Sequence, residues 1–428
     1  MSGFSRTWVG AALAGLGTRM KHIRLTLVVL ALILAAVILR GQAPAGPIKI
    51  GFIVPLSGPF AQNGRDILNG FLLLLDEVGY RAGGRQIQLI IEDDEAIPAV
   101  TLTKARKLVE SDRVHLMAGT LLASSGYALA PYVDAQQIPT VYPVVSSDDL
   151  TQRRRSQWIV RTGWTSSQPN HAFGEYAYRT LGYRTVATIA LDYAFGWESV
   201  GGFQRTFEAE GGRIVQKMWT PVSVHDFAPY LAQISRDVDA VYALFLGRTA
   251  LQFMRQYAEY GLKGRVPLIG SGTTTDEHVL PFMGDEALGV VTSLQYSAAL
   301  DTPDNRRFTG AYRRRYNKVA SYYAESMYTG GKWVLAAIEA LGGRVEDRTK
   351  LLEALRAAQP TGLPRGLVML DEYGNPIQSI YIRRVERVNG ELQNTVIATV
   401  PRVSQFWKYN PADYLRQPLY SRRFVPAS

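Results

Sequence analysis

The sequence predicts an α/β fold of two similar halves, and three observations carry that expectation. Short apolar runs alternate with segments whose apolar residues recur at helical spacing. The alternation passes through four strand-like runs and then restarts near residue 185. The chain has 428 residues, 47% hydrophobic and 20% charged, which is globular and long enough for two or three domains at ~150 residues each.

The first half opens with Ile48–Val54, an apolar run ended by Pro55 and read as a buried strand. Gly64–Val78 places Ile67, Phe71, Leu74 and Leu75 on one helical face. Ile87–Ile91, Val114–Gly119 and Ile138–Tyr142 read as further strands, with helices at Ala99–Ser111 and Ser124–Ala135 between them. This βαβαβαβ order predicts a parallel sheet with helices on both faces. In the second half the strands are Thr185–Leu191, Ile214–Lys217, Ala240–Leu246 and Pro267–Gly270. The helices are Trp197–Glu210, Phe227–Arg236 and Ala250–Tyr260. The halves join near Arg161–Trp164. Helices at Asn305–Tyr316, Tyr323–Leu341 and Lys350–Ala357 are expected to pack back on the first half. Beyond Gly366 the pattern is β: Leu367–Leu370, Gln378–Val388, an Asn389-Gly390 turn and Leu392–Val400. The tail after Pro401 is aromatic and basic, and its pattern assigns no element.

The N-terminus addresses the compartment. Leu25–Leu39 is an apolar run of 15 residues, preceded by Lys21 and Arg24 and closed by Arg40. As a helix it spans ~22 Å, short of the ~30 Å bilayer core. With Ala43-Pro44-Ala45 it has the layout of a secretory signal, and an uncleaved membrane segment is the alternative for residues 1–45. Residues 1–19 add nothing that a signal needs, so Met20 is read as the start, which N-terminal sequencing checks. The formal charge is +10, but Arg6, Arg19, Lys21, Arg24 and Arg40 account for half of it. The remaining basic clusters are scattered and lack interleaved aromatics, which argues against nucleic-acid binding. The absence of cysteine removes disulfides, Cys-ligated metals, cysteine nucleophiles and a lipidated Cys anchor.

Ligands of open α/β sheets sit at the carboxyl ends of strands. After Val114–Gly119 comes Ala123-Ser124-Ser125, with Ser124 read as a helix N-cap whose free N–H groups suit a carboxylate; a plain cap without a ligand is the simpler reading. After Ile138–Tyr142 comes Val144-Val145-Ser146, with Asp149 completing an imperfect capping box. Tyr193 and Phe195 follow the first strand of the second half, where they either cover an apolar ligand or pack in the core. Gly247 and Gly272-Thr273 end two later strands. Catalytic patterns are missing: there is no G-x-S-x-G elbow, no dinucleotide or Walker sequence, and no i, i+4 His pair among the five histidines. The sequence therefore predicts neither cofactor, metal nor enzyme. The run Glu92-Asp93-Asp94-Glu95 is read as a solvated strand end, with cation binding the alternative.

Ile50-Gly51, Pro55-Leu56-Ser57-Gly58-Pro59, Gly64 and Asn69-Gly70 together resemble the opening of the branched-chain amino acid (Leu/Ile/Val) type of periplasmic substrate-binding protein, the receptor of ABC importers. The likeness continues through Glu92-Asp93-Asp94, Ala123-Ser124-Ser125, Arg161-Thr162, Asp192-Tyr193-Ala194-Phe195-Gly196, Gly261-Leu262-Lys263 and Gly284-Asp285-Glu286-Ala287. It implies two Rossmann-like lobes joined by a three-stranded hinge, with a ligand cleft between them. The implied lobes are residues 47–162 plus 295–368, and 163–294 plus 369–400. It implies as partners a small carboxylate-bearing ligand and an ABC permease with cytoplasmic ATPases, in the periplasm. Membrane contact would come only through the N-terminal segment or the permease. An exported ligand-sensing module for a signalling partner is the alternative.

Position by position, the family's carboxylate site falls on Ala123, Ser124, Ser125, Val144 and Ser146, and its aromatic contacts on Tyr193 and Phe195. Asn63 stands where an aromatic is common, Gly247 near another contact, and Thr273 beside Gly272. Gly272 takes the place of the acid that pairs with an amino acid's ammonium. An unpaired buried ammonium is costly. The resemblance with this departure implies an aromatic or short aliphatic acid in preference to leucine, stacked on Trp164 and Tyr193.

Overall fold

The computed structural model of the chain describes residues 46–426. The expected signal or membrane segment, residues 1–45, and the Met20 start lie outside the described residues. Among the described residues no helix is long and apolar enough to cross a membrane.

In chain order the elements begin β1 (Ile48–Val54), α1 (Ala61–Glu77), β2 (Arg81–Ala82), β3 (Arg85–Asp93), α2 (Pro98–Arg106), β4 (Leu116–Gly119), α3 (Ala123–Gln136), β5 (Thr140–Tyr142) and β6 (Ile159–Arg161). There follow α4 (Gln168–Arg179), β7 (Thr185–Leu191), α5 (Ala194–Ala209), β8 (Arg213–Thr220), α6 (Ala228–Leu231), β9 (Ala240–Leu244), α7 (Gly247–Glu259), β10 (Leu268–Ser271) and β11 (Val291–Leu294). The last are α8 (Pro303–Tyr316), α9 (Tyr322–Ala340), α10 (Arg348–Ala357), β12 (Val368–Leu370), β13 (Pro376–Val388), β14 (Glu391–Val403) and α11 (Pro411–Arg416).

Two sheets form two lobes. The first runs β2-β3-β1-β4-β5-β6 and is parallel except for the β2–β3 pair. The second runs β12-β13-β11-β10-β9-β7-β8, with β14 paired to β13. Its strands β7 to β11 are parallel, and the C-terminal strands join them antiparallel. Central parallel strands bury both faces, which is why β1 reads as a continuous apolar run. Ile50, Phe52 and Val54 enter one core cluster and Ile53 a second. Helix α9 packs on α1 at Gly70, where an added Cβ would sit 2.0 Å from the Ala324 carbonyl oxygen. Only glycine permits that approach.

Several elements depart from the sequence pattern. Strands β6 and β11 are short, and α6 keeps one turn of the expected Phe227–Arg236 helix. Helix α4 carries no clear apolar period because its buried first turn is polar, with only Ala172, Phe173 and Ala177 apolar among its later buried positions. Gln168 Nε2 donates to the carbonyls of Pro376 (2.7 Å) and Val403 (2.8 Å), and Asn170 Oδ1 accepts from Tyr242 OH (2.7 Å). The tail folds against α4 and α5. The Arg205 guanidinium lies 4.8 Å from the Tyr414 ring and 5.2 Å from the Tyr420 ring, and Tyr420 OH bonds His171 Nε2 at 2.7 Å. Arg153, in the loop after β5, donates to the Tyr414 and Gln417 carbonyls at 2.8 Å, so the tail also ties to the first lobe. The acidic run is not a solvated strand end throughout. Glu92 pairs with Lys104 and Lys107, but Asp94 is buried and bonded to Thr101 and Thr120.

Chain crossings between the sheets converge on Arg365. Its Nε donates to Glu325 Oε1 on α9 at 2.9 Å, and both side chains are fully buried. Its Nη1 donates to the Gly163 carbonyl (3.2 Å) and to Gln378 Oε1 (3.1 Å), while Gln378 Nε2 donates to the same Gly163 oxygen at 2.7 Å. Removing one partner leaves a buried uncompensated charge. Arg365→Met is therefore expected to destabilise the protein by roughly 3–5 kcal/mol. This is read as a lower urea midpoint at unchanged slope; a midpoint equal to the parent's would show that the pair does not hold the crossings.

Candidate functional site

The carboxyl ends of strands from both sheets face each other, the position where open α/β sheets hold ligands. A small cavity of about 20 Å³ lies there. That is room for about one water, so in this arrangement the side chains of the two lobes fill the cleft.

The first lobe contributes Leu121, Leu122 and Ala123 at the start of α3, with Val144 and Ser146 after β5. Helix α3 begins at Ala123 with Leu122 as its cap residue, and no side chain caps it. Ser124 is inside the helix and is not the cap that its residue type suggested. The uncapped first turn leaves backbone N–H donors at the cavity wall, with the positive end of the helix dipole behind them. The expected capping box at Ser146 does not form either. The turn at Asp148–Thr151 has Ser147 at its cap, and Ser147 Oγ donates instead to the Ala123 carbonyl at 2.7 Å.

The crossing after β6 supplies Trp164, and the second lobe supplies Tyr193, Phe195 and Leu246. Tyr322 closes the wall from α9. Trp164 meets Phe195 edge-on at 5.6 Å and Tyr322 edge-on at 5.9 Å, and Tyr193 meets Phe195 at 6.0 Å. The Trp164 indole is 1% exposed and its Nε1 has no hydrogen-bond partner among the described residues. Burial pushes the phenols of Tyr193 and Tyr322 well up, so both stay neutral. None of the cavity-lining residues is a carboxylate or a cation.

Of the residues anticipated from sequence, Ala123, Val144, Ser146, Trp164, Tyr193 and Phe195 line this cavity. Asn63 and Gly247 face each other beside it. A Cβ at 247 would sit 3.1 Å from Asn63 Oδ1, and φ there is +57°, a conformation glycine adopts freely. Asn63 Nδ2 also lies 3.3 Å from His278 Nε2, whose Nδ1 is 2.7 Å from Asp276 Oδ1. Ser125 turns away, 2.9 Å from Thr101 Oγ1. Gly272 and Thr273 sit apart from the cavity: the Gly272 carbonyl accepts from Arg383 Nη2 (2.8 Å), and Thr273 donates to the Phe245 carbonyl (2.8 Å). Sequence reasoning missed Leu121, Leu122, Leu246 and Tyr322. The leucines immediately precede two singled-out positions, Ala123 and Gly247, and strand-end position alone would have found them. Tyr322 lies far along the chain on a helix with no local signal.

A larger cavity of about 920 Å³ adjoins the Asn63–His278 contact and is lined by Gln62, Glu277, His278, Phe282 and Lys318 among others. Its lining lacks the convergence of strand ends that marks the small cavity. Among the described residues no cluster of His, Asp and Glu suits a metal ion.

The family model described as periplasmic binding protein matches residues 47–391. A Leu/Ile/Val-binding protein homolog 6 from Brucella melitensis biotype 1 is 30% identical over 365 residues, 83% of this chain and 92% of that one. The solved ABC transporter substrate-binding protein from Sphaerobacter thermophilus is 37% identical with a TM-score of 0.79, over 84% of this chain and 99% of that one. The solute binding protein of an ABC transporter from Rhodopseudomonas palustris BisB5, solved in complex with 3,4-dihydroxy benzoic acid, is 34% identical with a TM-score of 0.80, over 84% of this chain and 98% of that one.

The lining of the larger cavity includes one titratable group with a raised pKa, Glu277. Burial pushes Glu277 up to about 7 even though Arg383 lies 3.6 Å away. A carboxyl raised on folding contributes stability below its unfolded value that is lost as pH rises through the folded one. Glu277→Gln keeps the neutral form at every pH. Its melting temperature relative to the parent's is therefore expected to rise as pH goes from about 5 to about 8. A pH-independent difference in scanning calorimetry would show that Glu277 titrates normally.

Proposed function

This chain belongs to the periplasmic binding protein family, as an ABC transporter substrate-binding protein, and on that premise we propose that its ligand is a small aromatic carboxylic acid. The observation that carries the reading is the cavity's composition: four aromatic rings, an uncapped helix start, and no ionised side chain in the wall. The acid's carboxylate would take the N–H donors of α3 and the Ser146 hydroxyl. Its ring would lie among Trp164, Tyr193, Phe195 and Tyr322, with the free Trp164 Nε1–H as a further donor. An α-amino acid would bring an ammonium with no carboxylate to meet it, a desolvation cost of several kcal/mol. The Rhodopseudomonas palustris relative, bound to 3,4-dihydroxy benzoic acid, supports the same class.

The family implies an extracytoplasmic location, and we place the chain in the periplasm. Lobe one is taken as residues 47–162 plus 295–368, and lobe two as 163–294 plus 369–400. The protein catalyses nothing in this reading. Ligand binding shifts the population toward closed lobes, and the closed form delivers the ligand to a membrane permease with its ATPases.

Thermal-shift screening of the protein is the test. 3,4-Dihydroxybenzoate or benzoate is expected to stabilise it by about 2.7 kcal/mol at ~100 times the dissociation constant, and leucine, isoleucine and valine not at all. Trp164→Ala is expected to weaken the aromatic acid at least about tenfold, ~1.4 kcal/mol, in calorimetric titration. Tight binding of leucine with none of any aromatic acid would overturn the assignment.

A further inference from the structure

Behind the cavity wall a chain of hydroxyls leads to a buried carboxylate and across to the opposite lobe. Ser146, on the wall, has its Oγ 3.0 Å from Ser166 Oγ. Ser166 Oγ donates to Glu198 Oε2 on α5 at 2.7 Å. Glu198 Oε1 accepts from Tyr127 OH on α3 at 2.6 Å, and the Tyr127 oxygen accepts the Asp149 N–H at 3.1 Å. Ser146, Ser166 and Glu198 are all buried, so water does not compete for these bonds.

Each hydroxyl carries one proton, so the directions of these bonds are linked. An ionised Glu198 accepts from both Tyr127 and Ser166. The Ser166 proton is then committed, the Ser146 proton is drawn to the Ser166 oxygen, and Ser146 can donate to the cavity only by giving up that bond. That arrangement weakens its hold on a carboxylate. A proton on Glu198 Oε2 reverses the chain: the acid donates to Ser166, and Ser166 donates to Ser146 Oγ or to the Ser146 carbonyl 2.9 Å away. Either way the Ser146 proton is released to the cavity.

We propose that Glu198 is a positioning residue that couples uptake of the anionic ligand to uptake of one proton: the proton comes from solvent, rests on Glu198, and turns Ser146 into a donor toward the ligand carboxylate. No covalent bond of the ligand changes, and the complex gains one negative and one positive charge. The inference rests on the carboxylic-acid reading above. The titratable and charged groups facing Glu198 are Tyr127 from α3, Asp148 and Asp149 from the loop after β5, Arg161 from β6, and Tyr193 from the loop after β7. Burial drives the Glu198 carboxyl well above the usual range, and the Asp148 charge adds to it. Arg161 acts the other way but is itself bonded to Thr151, Asn375 and the Ser147 carbonyl.

Calorimetric titration of the protein with 3,4-dihydroxybenzoate, in buffers of different ionisation enthalpy between pH ~6 and ~9, tests the coupling. Uptake of about one proton is expected over part of that range, with affinity falling about tenfold per pH unit there. Glu198→Gln keeps a neutral group in place and is expected to bind with no proton uptake and a flat pH profile. Ser166→Ala cuts the chain while leaving Glu198, and is also expected to lose the uptake. Binding without proton uptake at every pH, or unchanged uptake in both variants, overturns the coupling alone. Failure of every carboxylate to bind the unaltered protein overturns the ligand reading and the coupling with it.

Discussion

The guanidinium of Arg365 is closed off from water where the chain passes between the lobes, and the rest of the architecture depends on how it is satisfied. One nitrogen meets Glu325 on a first-lobe helix; another meets the Gly163 carbonyl and the Gln378 amide, on two separate crossings. A charge buried this way tolerates little rearrangement, because losing the Glu325 carboxylate leaves it unpaired. The crossings are thus held in a fixed relation, beside a core cluster that runs through both sheets. Gln168 extends the arrangement by bonding the Pro376 and Val403 carbonyls, which places α4 against the same junction.

From that junction the cleft follows directly. Trp164 is one residue past Gly163, so the crossing that the arginine holds also delivers the central ring of the cavity. Ser166 follows two residues later, and it links Ser146 on one lobe to Glu198 on the other. The two halves of the site therefore share a short stretch of backbone whose position is set by buried polar contacts, not by loop packing.

The sequence showed the parallel sheets well, because strands buried on both faces are apolar without interruption and their helices carry one apolar face. Cavity residues next to strand ends, such as Ala123, Ser146, Tyr193 and Phe195, were legible for the same reason: topology puts those positions at the cleft. Tyr322 was not, since it approaches from a helix that is distant in sequence. Helix α4 was missed because it buries Gln168, Asn170 and His171, so polar contacts replaced the apolar period. The tail stayed unreadable because its order comes from rings gathered around Arg205, a residue about 200 positions earlier. Gly272, singled out through a family pattern, is engaged by Arg383 at the back of its strand end, a contact that no local pattern encodes.

The smallness of the cleft cavity has a mechanical meaning. About 20 Å³ leaves little slack, so a guest larger than one water would have to displace one wall against the other. Guest size would thereby be translated into the spacing of the two lobes. Two acids that satisfy the same donors but differ in bulk would leave the outer faces of the lobes at different spacings, and a partner that grips both faces at once would measure that spacing as a ruler does.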